Sequence, residues 1–116
     1  CGGNLTTPSA VVTSPNYPSN YSNDVICQWL ITVPTGNTIR LTFDSFDVEG
    51  NGDVLTIYDG PCDCASPFTG SQSVGPITST SHVMFLRFTS DYIFTSQGFQ
   101  FSYTSQSKKS ALILSI

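Results

Sequence analysis

A chain of 116 residues with 39% apolar side chains amounts to one domain, long enough to bury most of the surface its unfolded form exposes. Only 10% of residues are charged, the net charge is −4, and the four basic residues (Arg40, Arg87, Lys108, Lys109) are scattered, which argues against nucleic acid and anionic membranes as partners. Ser, Thr, Asn, Gly and aromatic residues are plentiful, as in a small β-sandwich or barrel.

After Cys1-Gly2-Gly3, the first expected strand is Ala10-Val11-Val12. Residues Ser14 to Tyr21 hold two prolines and two asparagines, which exclude helix and predict a turn region. Ile26 to Val33 is rich in β-branched and aromatic residues and predicts a strand, ended by Pro34 to Asn37. A bridge between Cys1 and Cys27 would pin the N-terminus to that strand, contributing roughly 3–4 kcal/mol by loop-closure entropy.

Thr38 to Phe46 alternates Ile39, Leu41 and Phe43 with Arg40, Thr42 and Asp44, the period of a half-buried strand. Asp53 to Asp59 repeats the pattern through Leu55 and Ile57 and stops at Gly60-Pro61. Short strands are expected at Phe68 to Gln72 and Val74 to Thr78. Val83 to Phe88 is apolar except for Arg87, which predicts a central strand covered on both faces, and Phe99, Phe101 and Tyr103 alternate within Gln97 to Tyr103. There is no helical period, internal repeat or apolar run long enough to span a bilayer.

Six of the eight acidic residues fall between Asp44 and Asp63, with no Lys or Arg among them. Such crowding is either a solvated acidic face or a cation site. Glu49 and Asp53 bracket a Gly50-Asn51-Gly52 turn able to bring two carboxylates toward one point, which favours calcium. Four cysteines and two glycosylation sequons, at Asn4 and Asn20, point together to a secreted or cell-surface glycoprotein in an oxidising compartment. With Cys1 first and no signal peptide, the expectation is a processed module of a longer multidomain protein.

In order, Cys1-Gly2-Gly3; Ser14-Pro15-Asn16-Tyr17-Pro18 with Tyr21; Cys27, Trp29 and Ile31; Leu41, Phe43, Phe46 and Glu49; Asp53, Leu55 and Ile57-Tyr58-Asp59-Gly60; Phe88 with Ser90-Asp91; and Gly98-Phe99 resemble the pattern of a CUB domain. The resemblance runs from Cys1 to about Tyr103 and implies an extracellular all-β fold, a jelly-roll-like β-sandwich of two antiparallel sheets used as an interaction module. It sets the expected domain at residues 1–105, with 106–116 as a tail or linker. Many members bind calcium at one end of the sandwich, and the matching positions here are Tyr21, Glu49, Asp53 and Asp91. The resemblance thus implies calcium held by Glu49, Asp53 and Asp91, with the Ile93 carbonyl as a further ligand and the Tyr21 hydroxyl steadying a carboxylate. It also implies a protein partner whose Lys or Arg side chain meets Tyr21, Glu49 and Asp91.

The chain departs from the family in two places. Phe94 stands where many calcium-binding members have a polar residue, and Gly50 and Thr69 occupy the positions of the usual second disulfide. Cys62-Asp63-Cys64 remain, in a turn after Gly60-Pro61. A local Cys62–Cys64 bridge ranks first although its spacing demands a tight turn, intermolecular pairing second and zinc last.

The only histidine, His82, lies at the entry to an apolar strand, and a strand-edge role outweighs a catalytic one. Glycosidase chemistry is discounted because so small a domain has little room for a sugar cleft. Trp29 reads as core packing beside Cys27; Tyr17 and Tyr58 stay undecided between core edge and surface. The leading expectation is a non-enzymatic, calcium-supported module with no direct membrane insertion. The alternatives are a spacer in which calcium only orders loops, and a glycan-binding or coat-type role like that of seminal CUB proteins.

Overall fold

Phe43 and Phe46 cannot both face the interior of an unbroken strand, because three residues of a period-2 chain separate opposite faces. The computed structural model, which describes residues 1–60 and 65–107, resolves this with a β-bulge. Among the described residues ten strands form: β1 (Gly3–Leu5), β2 (Ser9–Thr13), β3 (Ile26–Thr32), β4 (Asn37–Val48), β5 (Val54–Asp59), β6 (Ala65–Phe68), β7 (Gly70–Ser71), β8 (Ile77–Thr78), β9 (Val83–Thr89) and β10 (Gly98–Ser107). Along β4 the partner of Gln100 is Ser45 and that of Phe101 is Phe43, so Asp44 is the extra residue. Ile39 and Leu41 point inward before it, Phe46 and Val48 after it. The Gln100 side-chain Nε2 donates to Asp44 Oδ2 (2.9 Å) at the bulge.

The strands pair as two sheets, β1-β3-β9-β5-β6 and β2-β10-β4-β7, with β8 beside β4. All pairs are antiparallel except β1 with β3. This is a jelly-roll β-sandwich. Its core is aromatic: Phe99 lies 5.1 Å from Phe88, 6.0 Å from Trp29 and 6.1 Å from Phe46, ring centroid to centroid. Trp29 also packs edge-on against Phe101, so its expected core role holds.

Several expected elements are corrected. The predicted strand Phe68 to Gln72 is two strands in different sheets, β6 and β7, broken at Thr69 where the chain crosses over. Val74 to Thr78 shortens to Ile77–Thr78. Central β9 has one buried face, Met84, Leu86 and Phe88, whereas Val83, Phe85 and Arg87 face a half-exposed surface; the apolar run reflects Phe85 packing on Tyr58 of β5 (5.7 Å) rather than a second covering layer. β1 has no sequence signal of its own. The Cys1–Cys27 disulfide, Cα atoms 5.3 Å apart, brings it to β3. β10 runs to Ser107. Cys62, Cys64, Lys108, Lys109 and the apolar tail lie outside the described residues.

Candidate metal centre

Four segments meet at one end of the sandwich. Glu49 follows the last residue of β4, Asp53 precedes the first of β5, and the turn between them carries the chain from one sheet to the other. Since Val54 pairs with Thr89, the residues just beyond β9 come alongside Asp53, and Asp91 is among them. The fourth segment, between β2 and β3, supplies Tyr21. It is laced to the post-β9 loop by Tyr21 N–H to Ser96 O (3.2 Å), Asp24 N–H to Asp91 O (2.9 Å) and Ser90 N–H to Val25 O (3.0 Å).

Tyr21 packs beside Gly98 on its way into the site. Gly98 has φ +98°, and a Cβ there would overlap the Ser14 hydroxyl and come within 3.4 Å of the Tyr21 ring. The ring, 2% exposed, packs edge-on against Phe88 at 4.9 Å. Its hydroxyl donates to Asp53 Oδ2 (2.6 Å) and accepts from the Glu49 amide (3.0 Å), tying two acidic residues together. Burial, and then the bond to Asp53, raise the Tyr21 pKa well above the ordinary tyrosine value.

Asp53 is 1% exposed, and its Oδ1 accepts the Asp91 amide (2.7 Å). Asp91 in turn accepts the Ile93 amide on Oδ1 (3.2 Å). Its carboxylate lies against Gly52, where any Cβ would overlap Oδ2, so the glycine of the turn is what admits Asp91. Glu49 Oε1 accepts the Asn51 amide (2.9 Å), whereas Oε2 is buried and accepts no hydrogen bond from any described residue. Oxygen atoms of Glu49, Asp53 and Asp91 all lie within 4.8 Å of one another.

Two carboxylates at that separation repel by about 3.5 kcal/mol at an effective dielectric constant near 20. Along the strands, Arg87 stands four residues before Asp91, roughly 13 Å at ~3.3 Å per residue, and Arg40 is farther still from Glu49. Hard oxygen donors converging from three segments, one of them buried and unpartnered, fit a hard cation.

Sequence reasoning placed Thr69 only at a family disulfide position and missed its role in the site. Its hydroxyl donates to Asp53 O (2.5 Å) and lies 3.2 Å from Glu49 O, clamping both ends of the turn. A β-branched residue in an expected strand gives no sign of this. Tyr17, undecided from sequence, is half-buried with its hydroxyl on Ser45 Oγ (2.6 Å). His82 is half-buried just before β9, its carbonyl accepting the Val33 amide. Asn4 and Asn20 are both exposed.

The CUB domain family model matches residues 1–103. The chain belongs to the CUB family. Among its relatives it is 39% identical over 98 residues to dog (Canis lupus familiaris) cubilin, covering 78% of this chain and 3% of that protein. It is 36% identical over 112 residues to human tumor necrosis factor-inducible gene 6 protein, covering 90% and 40%. Its CUB fold superposes on the extracellular region of zebrafish Gpr126/Adgrg6 with TM-score 0.86 and 30% identity, covering 92% of this chain and 15% of that one. The MASP-1 CUB2 domain, solved bound to calcium, matches with TM-score 0.82 and 31% identity over 90% of this chain and 99% of that one. This chain therefore spans a small fraction of cubilin's length.

Proposed function

We propose that this CUB domain is a non-catalytic protein-interaction module of a longer extracellular protein, with its fold in residues 1–105 extended by the end of β10. Calcium is held by Glu49, Asp53 and Asp91, with the Ile93 carbonyl as a further ligand, and supplies the positive charge that lets the three carboxylates sit together. Tyr21, Glu49 and Asp91 then receive a Lys or Arg side chain of a protein partner, because three carboxylates around one divalent ion keep a net negative charge that a basic group complements. The observation that carries this reading is the buried, unpartnered Glu49 Oε2 within a carboxylate triad 4.8 Å across. A relative of the same fold solved with calcium supports it.

Thermal unfolding in millimolar calcium against excess chelator tests it, with Asp91→Asn as the variant because the amide keeps the side chain's size. Calcium at a hundred times its dissociation constant stabilises the fold by about 2.7 kcal/mol, roughly 10 °C in Tm for a domain this size. The shift is expected in the wild type and lost in the variant. If calcium moves neither, the triad holds no calcium and the calcium reading fails. Affinity for a partner unchanged by chelator, despite a calcium shift, leaves the ion with loop ordering alone.

A further inference from the structure

The loop after β9 exposes three consecutive apolar side chains, Tyr92 (73%), Ile93 (50%) and Phe94 (62%), beside the carboxylate triad. An apolar run this open calls for a cover. The structure places one candidate against it. Asn20, exposed and followed by buried Tyr21 and exposed Ser22, is the acceptor of a glycosylation sequon, and its Nδ2 donates to Thr95 Oγ1 (3.4 Å) across 75 residues of sequence. Thr95 is the residue next to Phe94.

We propose that Asn20 carries an N-linked glycan whose first sugars lie over Tyr92–Phe94 and narrow the approach to the carboxylates. The inference rests on the extracellular reading above, since the sugar is added only on the secretory route. In that transfer, Nδ2 attacks the anomeric carbon of a lipid-linked oligosaccharide. The new C–N bond replaces the C–O bond to the polyisoprenyl diphosphate, which leaves with its electron pair, and Nδ2 gives up one proton. The second N–H stays available to Thr95, so the hydrogen bond that aims the side chain along the loop survives the modification.

An N-acetylglucosamine ring then starts within one residue of Phe94. Its C–H face and acetyl methyl group are apolar partners for aromatic side chains, and its hydroxyls stay in water. The Tyr21 backbone bond to Ser96 fixes the sequon beside the loop, while the Tyr21 hydroxyl holds Asp53, so the sugar and the site share one anchor. The other sequon differs in place. Asn4 lies on edge strand β1 in register with Leu30, four residues along β3 from Ile26, the residue paired with Thr89 at the site end. That is roughly 13 Å along the strand at ~3.3 Å per residue, and on the far side of β3 from β9.

The chain secreted from a eukaryotic host tests this with two sequon knockouts. Ser22→Ala removes the Asn20 sequon while keeping Asn20 and its bond to Thr95, and Thr6→Ala removes the Asn4 sequon. Intact mass before and after enzymatic deglycosylation reports occupancy, and chymotrypsin reports access, since it cuts after Tyr92 and Phe94. The expected result is a glycan at Asn20, cleavage in that loop at least fivefold faster in Ser22→Ala, and no change in Thr6→Ala. An unmodified Asn20, or equal cleavage rates with Asn20 occupied, overturns the proposal. Binding to an immobilised peptide bearing one lysine, with its alanine counterpart as blank, separates the two readings. Association at least threefold faster for Ser22→Ala supports the narrowing, and equal association rates refute it. Faster cleavage with no lysine-dependent binding by either form upholds the cover and sinks the partner reading instead.

Discussion

Tyr21→Phe isolates a single hydroxyl in the buried floor of the site. The ring and its edge-on contact with Phe88 at 4.9 Å remain, so little packing is lost. What goes is the donor to Asp53 Oδ2 and the acceptor for the Glu49 amide. A hydrogen bond to a charged group contributes about 1.5–3 kcal/mol and a neutral one about 0.5–1.5, and here both abandoned partners sit where water enters poorly. The expected loss is therefore about 2–4 kcal/mol, read as a lower urea midpoint at unchanged m-value. In a thermal scan this is roughly 8–16 °C at ~4 °C per kcal/mol. Tyr17→Phe is the internal control: its hydroxyl meets only the neutral Ser45 at a half-buried position, so about 1 kcal/mol or less is expected. If Tyr21→Phe falls within ~0.5 kcal/mol of wild type, the hydroxyl does not hold Asp53 and Tyr21 is merely a core ring.

The raised Tyr21 pKa carries a signed consequence. The unfolded state releases this proton near pH 10 while the folded state keeps it, so the stabilisation is complete below pH 10 and is lost as pH rises beyond it. In chelator, the unfolding free energy from urea titrations above pH 10 should fall by up to about 1.4 kcal/mol per pH unit from this group, and Tyr21→Phe should show a correspondingly flatter decline. Thr69→Val removes the clamp on the Asp53 and Glu49 carbonyls. Because Thr69 is exposed, only about 1 kcal/mol of stability should go, but calcium affinity measured by calorimetry should weaken on the order of tenfold, as for other groups that orient ligands.

The centres of β4, β5 and β10 were legible by alternation and that of β3 by composition, whereas the apolar run of β9 marked a strand but hid its one-sided burial. Failures came where structure is imposed from a distance. β1, Gly3-Asn4-Leu5, has one glycine and no apolar pattern, and is a strand because a disulfide between residues 26 apart delivers it to β3. The β6–β7 break was hidden because a sheet crossover at Thr69 is a matter of which neighbour the backbone finds, not of local propensity. The bulge at Asp44 was written in the sequence as a phase slip between Phe43 and Phe46. Of the site, the Glu49–Asp53 turn could be read from the residues themselves. Asp91 and Tyr21 lie 38 and 32 residues from Asp53, and only the resemblance to a family placed them there.

Where the family pattern carries its usual second disulfide this chain has Gly50 and Thr69, and the Thr69 hydroxyl is what ties the turn. A Cβ at Gly50 would stand 3.9 Å from Gly70 Cα, so the two segments still meet where other family members are covalently joined. A bridge closing a loop of about 20 residues restricts the unfolded chain by about 3 kcal/mol, whereas one exposed hydroxyl clamp supplies about 1 kcal/mol. At this point the Glu49–Asp53 turn is thus held by a weaker tie than a cross-link while bearing the repulsion of three carboxylates. On the function proposed above, cation binding at the triad has correspondingly more of the turn's order to provide than in a cross-linked turn.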